Sequence, residues 1–77
     1  MIKKKVKMII SEVFKIDESD ITAETSILTV QLWDSLNHLK LIVALEKEFN
    51  LTINDSDIVE LLSFNEIIDY IKNNILT

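Results

Sequence analysis

The chain has no cysteine, no glycine and no proline, and its basic residues are all lysines, without one arginine. Each absence removes a class of chemistry. Without cysteine there is no disulfide framework, no thiolate metal site and no cysteine nucleophile. His38 is the only histidine, which leaves little room for a zinc site of the ordinary kind. A domain of 77 residues with average composition carries roughly five glycines and four prolines. With none of either, Rossmann fingerprints, phosphate-binding glycine loops and glycine-built oxyanion holes are excluded. Tight hairpins that need positive φ are disfavoured as well. The net charge of -5 and the lack of arginine argue against a general nucleic-acid partner.

Core material is what the chain does have. Hydrophobic residues make up 48% of it against 27% charged, which excludes intrinsic disorder. The length sets residues 1–77 as one small domain, and a domain of this size buries only roughly 60–65% of its extended surface. The lysine-rich start, Lys3-Lys4-Lys5-Val6-Lys7, has the charge of a signal-peptide head. Ser11 and Glu12 interrupt the apolar stretch that should follow, and no run is long enough for a membrane span. The expectation is a soluble, cytoplasmic protein with no membrane insertion. Residues 1–15 hold five lysines and one acid, and residues 16–77 hold three lysines and twelve acids. A basic helix on an acidic body most simply places lysines on a solvated face.

Periodicity predicts an all-α fold. Ile2, Val6, Ile9, Ile10, Val13 and Phe14 recur at helical spacing with lysines between them. From Ile16 to Trp33 the pattern breaks, and Asp17, Ser19, Asp20, Thr22, Thr25 and Ser26 favour turns and caps. Ile16, Ile21, Ile27 and Leu28 are expected to pin this long loop to the core, and so long a loop in so small a domain usually has a function. A second helix is predicted over 35–49, with Asp34 as N-cap and Asn50 as the left-handed residue that ends it. A short third helix is predicted at about 56–62. Ser63-Phe64-Asn65-Glu66 reads as a capping box. It opens a fourth helix carrying Phe64, Ile67, Ile68, Ile71 and Ile75 inward. The expected architecture is a small four-helix bundle, three main helices and a short third one, with a long loop between helices 1 and 2.

The second helix has two apolar faces. At 100° per residue, Leu41, Ile42, Leu45 and Phe49 point within about 60° of one direction and form a core stripe. Leu36 and Val43 project on the other side, among Lys40 and Lys47. Scattered surface apolar residues explain that pair as well as a contact patch does, and periodicity alone leaves both open.

Ser35 stands in the first turn of this helix, straight after the long loop. A first-turn serine is most often a solvated hydroxyl. The same place also suits a serine bearing a phosphate ester, because free backbone N–H groups and the helix dipole favour negative charge there.

The stretch Trp33-Asp34-Ser35-Leu36-Asn37-His38-Leu39-Lys40-Leu41-Ile42-Val43-Ala44-Leu45-Glu46-Lys47-Glu48-Phe49 resembles the central helix of the acyl carrier protein family. Ile21 to Leu28 is similar to that family's first loop, Leu51 to Asp55 to its second, and Phe64 to Ile71 to its last helix. The resemblance implies that Ser35 receives 4'-phosphopantetheine from coenzyme A through a separate phosphopantetheinyl transferase. The thiol of that arm would hold an acyl-type group as a thioester between acyl-loading and acyl-transferring enzymes, and a chain without cysteine could thus take part in thiol chemistry. Asp34 would cap the helix and help to present Ser35. Leu36, Asn37, Lys40, Val43 and Lys47 match positions where the family meets its partners. The resemblance also implies a monomer and no catalytic residues or metal of its own. It raises the expectation of a cargo cavity among Leu41, Leu45, Phe49, Ile58, Leu62 and Ile68.

This chain departs from the family's fatty-acid members, whose second helix is strongly acidic. Asn37, Lys40 and Lys47 stand where acids are common, so residues 34–49 net only -1 from Asp34, Glu46 and Glu48 against Lys40 and Lys47. Leu32 and Trp33 replace small residues often found before the Asp-Ser pair. A specialised carrier with dedicated enzymes is expected.

Other readings compete. An unmodified helical interaction module would use Leu36 and Val43 alone. An aminoacyl or peptidyl carrier usually shows glycines and a different residue before the serine. A hydrolase built on Asp34, Ser35 and His38 fails on the helical wheel, which turns His38 about 60° from Ser35 toward the core. His38 is expected to be a half-buried packing residue and Trp33 an anchor for the loop. Asp17 to Asp20 and Asp55 to Asp57 lack the spacing of a calcium loop and read as solvated caps.

Overall fold

A computed structural model describes residues 2–75. Four α-helices follow in order: α1 Ile2–Phe14, α2 Ser35–Phe49, α3 Asp55–Ile58 and α4 Phe64–Ile75, with a single 3-10 turn at Glu18–Asp20. The fold is all-α with the long loop between α1 and α2. Helix α1 lies against both α2 and α4. It buries Val6, Ile9, Ile10 and Phe14 between them. Helix α2 contributes Leu41, Ile42 and Leu45, and α4 contributes Phe64, Ile67, Ile68 and Ile71. Phe49 and Ile58 pack half-buried against this cluster. Of the residues expected to border a cargo space, Leu41, Leu45 and Ile68 are buried and Phe49, Ile58 and Leu62 half-buried.

The predicted caps form. The Asp34 carboxylate accepts the Asn37 N–H at 2.9 Å. Asn50 ends α2 at φ 53°, and Ser63 Oγ accepts the Glu66 N–H at 3.1 Å while bonding the Glu66 carboxylate. Helix α1 ends at Lys15, which takes φ 59° where a glycine would be at ease. No described helix is long and apolar enough to cross a membrane.

Three expectations need correction. The third helix covers 55–58 and not 56–62, because the chain leaves the helix to pair with the loop. Leu62 C=O accepts the Ile27 N–H, and the Phe64 N–H donates to Thr25 C=O, each at 2.9 Å. Those bonds straddle an antiparallel bridge of Ser26 with Ser63. Ile27 and Leu28 do not pin the loop, being 39% and 92% exposed; Ile21, Val30 and Trp33 are the buried anchors, with Ile16 half-buried. Ile75 points outward, 39% exposed, at the end of α4.

Helix α3 is tied by polar bonds. Tyr70 on α4 donates its hydroxyl to Asp57 Oδ2 at 3.0 Å. Burial, then the hydrogen bond to Asp57 and its negative charge, raise the phenol above its ordinary value of 10.0.

Candidate functional site

The loop delivers Ser35 to a fixed place through a chain of local contacts. Thr25 is buried, its hydroxyl accepting the Thr22 N–H at 2.8 Å. The segment then turns on Ser26, whose carbonyl accepts the Thr29 and Val30 N–H groups, both at 3.0 Å. Trp33 enters the core and stacks on Phe14 of α1, ring centroids 4.7 Å apart. Asp34 follows in extended conformation and caps α2. Ser35 is therefore the first helical residue, exposed, beside a buried tryptophan that cannot shift without opening the core.

His38 braces the same corner from below. Its Nδ1 accepts the Trp33 indole N–H at 3.0 Å, and its Nε2 lies 2.8 Å from the Ile58 carbonyl. An indole only donates and a carbonyl only accepts, so in this pair of bonds Nδ1 is the acceptor and Nε2 the donor. Both nitrogens are occupied, and His38 is not a base for Ser35. One imidazole thus joins the loop, α2 and α3.

Ser35 opens onto a cleft of about 250 Å³ whose other walls are Ile27, Asp34, His38, Val59 and Leu62. The first-turn N–H groups of a helix have no carbonyl partner within it. Here the Asp34 carboxylate takes that of Asn37 and the Asp34 carbonyl takes that of His38, leaving the Ser35 and Leu36 amides at the helix mouth. An exposed hydroxyl, free amides and an apolar-walled cleft fit a phosphodiester followed by a flexible chain.

On the outer side of α2 a second depression of about 440 Å³ is lined by Leu36, Leu39, Lys40, Val43, Ala44 and Lys47. The structure thus places Leu36, Lys40, Val43 and Lys47 on one exposed surface. Asn37 differs from them: its side-chain amide donates to Leu32 C=O at 2.8 Å and so holds the loop end. Leu39, 54% exposed, is a surface residue that the two-member reading missed. Its spacing, three after Leu36 and four before Val43, carried the signal. Asp17 to Asp20, Asp55 and Ser56 are exposed, and the half-buried Asp57 carboxylate accepts the Tyr70 hydroxyl.

A family sequence model described as a phosphopantetheine attachment site matches residues 4–71, most of the chain.

Proposed function

The chain belongs to the phosphopantetheine-attachment family of carrier proteins, and from that premise we propose that it is an acyl carrier whose arm is borne by Ser35. Carriers of this family hold 4'-phosphopantetheine covalently and are not themselves enzymes; a transferase installs the arm and loading enzymes charge it. The observation that supports Ser35 is its position. It combines an exposed hydroxyl, the unpaired amides of a 15-residue helix and the lip of an apolar cleft.

The division of labour follows from that geometry. Ser35 Oγ would form the new bond to phosphorus and give up its proton to a base of the transferase, with the adenosine bisphosphate portion of coenzyme A as the leaving group. Asp34 keeps the first turn formed while Ser35 is engaged, and Trp33 and His38 keep that turn from retreating. Ile27, Val59 and Leu62 offer the arm an apolar wall. When bound, the arm supplies the thiol that carries cargo as a thioester.

Lys40 and Lys47 on α2 support a specialised acyl carrier over a housekeeping fatty-acid one, since charge at a docking face governs encounter and partner choice. Two measurements test these statements. Incubation with coenzyme A, magnesium and a broad-specificity phosphopantetheinyl transferase should add one phosphopantetheine to the intact mass, and Ser35→Ala should add none. Unmodified native protein across several transferases would sink the Ser35 assignment. Rapid malonylation of the loaded protein by a fatty-acid malonyl transferase, at housekeeping rates, would remove the specialised role.

A further inference from the structure

We propose that the outer groove of α2 receives an enzyme surface in which an apolar projection is bordered by carboxylates, and that this polarity selects the carrier's partners. The inference rests on Ser35 as the attachment point, because the groove begins at the very next residue. Leu36, Leu39 and Val43 are 65%, 54% and 55% exposed. Their spacing of three and then four places them in one stripe. Three exposed large apolar residues in line add nothing to the stability of an isolated surface helix, and such a stripe marks a contact face.

The charge around the stripe is what specifies the occupant. Lys40 follows Leu36 by four residues and Lys47 follows Val43 by four, so each lysine borders the groove. Among the described residues the one ion pair joins Lys5 to Glu48 at 3.4 Å, which leaves both lysines unpaired. The acids of α2 are committed elsewhere: Glu48 faces Lys5 of α1, and Glu46 accepts the Ile53 N–H at 2.8 Å. A chain of net charge -5 has only three lysines beyond residue 15, and two of them stand at this groove. A basic partner would set like charges against Lys40 and Lys47 while it covered the leucines. An acidic border gains at the same two points, chiefly in the rate of encounter. A second copy docking through the same face would bring four lysines together.

The test uses two phosphopantetheinyl transferases, one with a basic and one with an acidic docking surface, acting on the full-length apo protein. Initial rates by intact mass are compared for the native chain and for the Lys40→Glu/Lys47→Glu variant, with circular dichroism to show that the variant is folded. The variant should lose about tenfold in kcat/KM with the acidic-faced enzyme and gain about tenfold with the basic-faced one. Both effects should shrink at roughly 0.5 M salt. Equal rates on the two chains would overturn the proposal and leave Ser35 standing, since the mass gain is still observed. No mass gain on the native chain would instead remove the Ser35 reading and this inference with it. Leu39→Ala should slow both enzymes without changing the charge preference. A native chain that sediments as a dimer, and as a monomer after Leu39→Glu, would assign the groove to a second copy and refute an enzyme partner.

Discussion

Helices α1, α2 and α4 on one side and α3 on the other are held by different forces. The three long helices meet through fully enclosed side chains, among them Val6, Ile10, Phe14, Leu41, Leu45, Ile67 and Ile71. Helix α3 is four residues long and contributes no buried residue of its own. Within it the ties are the His38–Ile58 bond of 2.8 Å, the Tyr70–Asp57 bond of 3.0 Å and the half-buried Ile58, and the core residues that anchor it, Ile53 and Leu61, flank the helix on either side. Burying one large apolar side chain stabilises by about 1.5–3 kcal/mol, and a typical hydrogen bond by only about 0.5–1.5 kcal/mol net. Ser35 is thus mounted on the helical frame, while Val59 and Leu62, on the far wall of its cleft, belong to the segment after α3, which Leu61 and the Leu62–Ile27 bond fasten to the core and the loop. For the proposed attachment at Ser35 that arrangement gives a mount that stays fixed for every partner.

The frame is where the largest effects should fall. Leu41→Ala removes an enclosed side chain from the middle of α2 and should cost about 3 kcal/mol in urea unfolding. Val43→Ala, two residues later but 55% exposed, should stay within about 0.5 kcal/mol. Equal costs would mean that the outer stripe is structural and would break the contrast between the two faces of α2.

His38→Phe addresses the joint between the two regions and should have an intermediate effect. It leaves the indole N–H of Trp33, a residue only 4% exposed, without an acceptor, and frees the Ile58 carbonyl. A loss of about 2 kcal/mol is expected, with the ring volume largely retained. Amide exchange sharpens the point. Residues 55–62 should exchange about tenfold faster than the fall in global stability requires, while α1 keeps the global rate. Uniform acceleration across the chain would show that α3 and the frame open together.

The same division governs what could be read in the sequence. The frame was legible because its determinants are local or periodic. Asp34 and Asn50 mark the ends of α2 by their caps, Ser63 and Glu66 mark the start of α4, and the core stripe of Leu41, Ile42 and Leu45 repeats at helical spacing. The candidate serine was legible from the same cap, together with the family resemblance. Helix α3 was not. Glu60, Leu61 and Leu62 have helical propensity, yet Leu62 C=O bonds the Ile27 N–H of a loop 35 residues earlier, and no local pattern encodes that partner. For the same reason Leu28 passes for a loop anchor in sequence and is 92% exposed in the fold, because the Ser26 turn faces it to solvent. His38 was expected as a packing residue. Its double role needs Trp33 and Ile58, which lie on separate segments, to converge on one ring.

Tyr70→Phe should have the smallest effect and separates the two ties of α3. It removes only the hydroxyl bonded to Asp57, on a side chain that is partly open to water, so about 0.5–1 kcal/mol is expected at neutral pH. The pH dependence is more telling than the size. The folded phenol holds its proton more tightly than the unfolded one, whose ordinary value is 10.0. Between that value and the higher folded one, the native state binds more protons than the unfolded state, and stability falls as pH rises. The contribution of this tie is therefore complete below pH 10 and lost as pH climbs through the folded value. Every other titratable group is common to both proteins, so the useful quantity is the stability difference between native chain and variant. That difference should shrink above about pH 10. Amides of α3 in the native chain should lose protection in step with it, whereas those buried at Leu41 and Leu45 should follow global stability alone. A difference that stays constant with pH would mean that the Asp57 contact does not hold α3, and that His38 alone closes the wall beside Ser35.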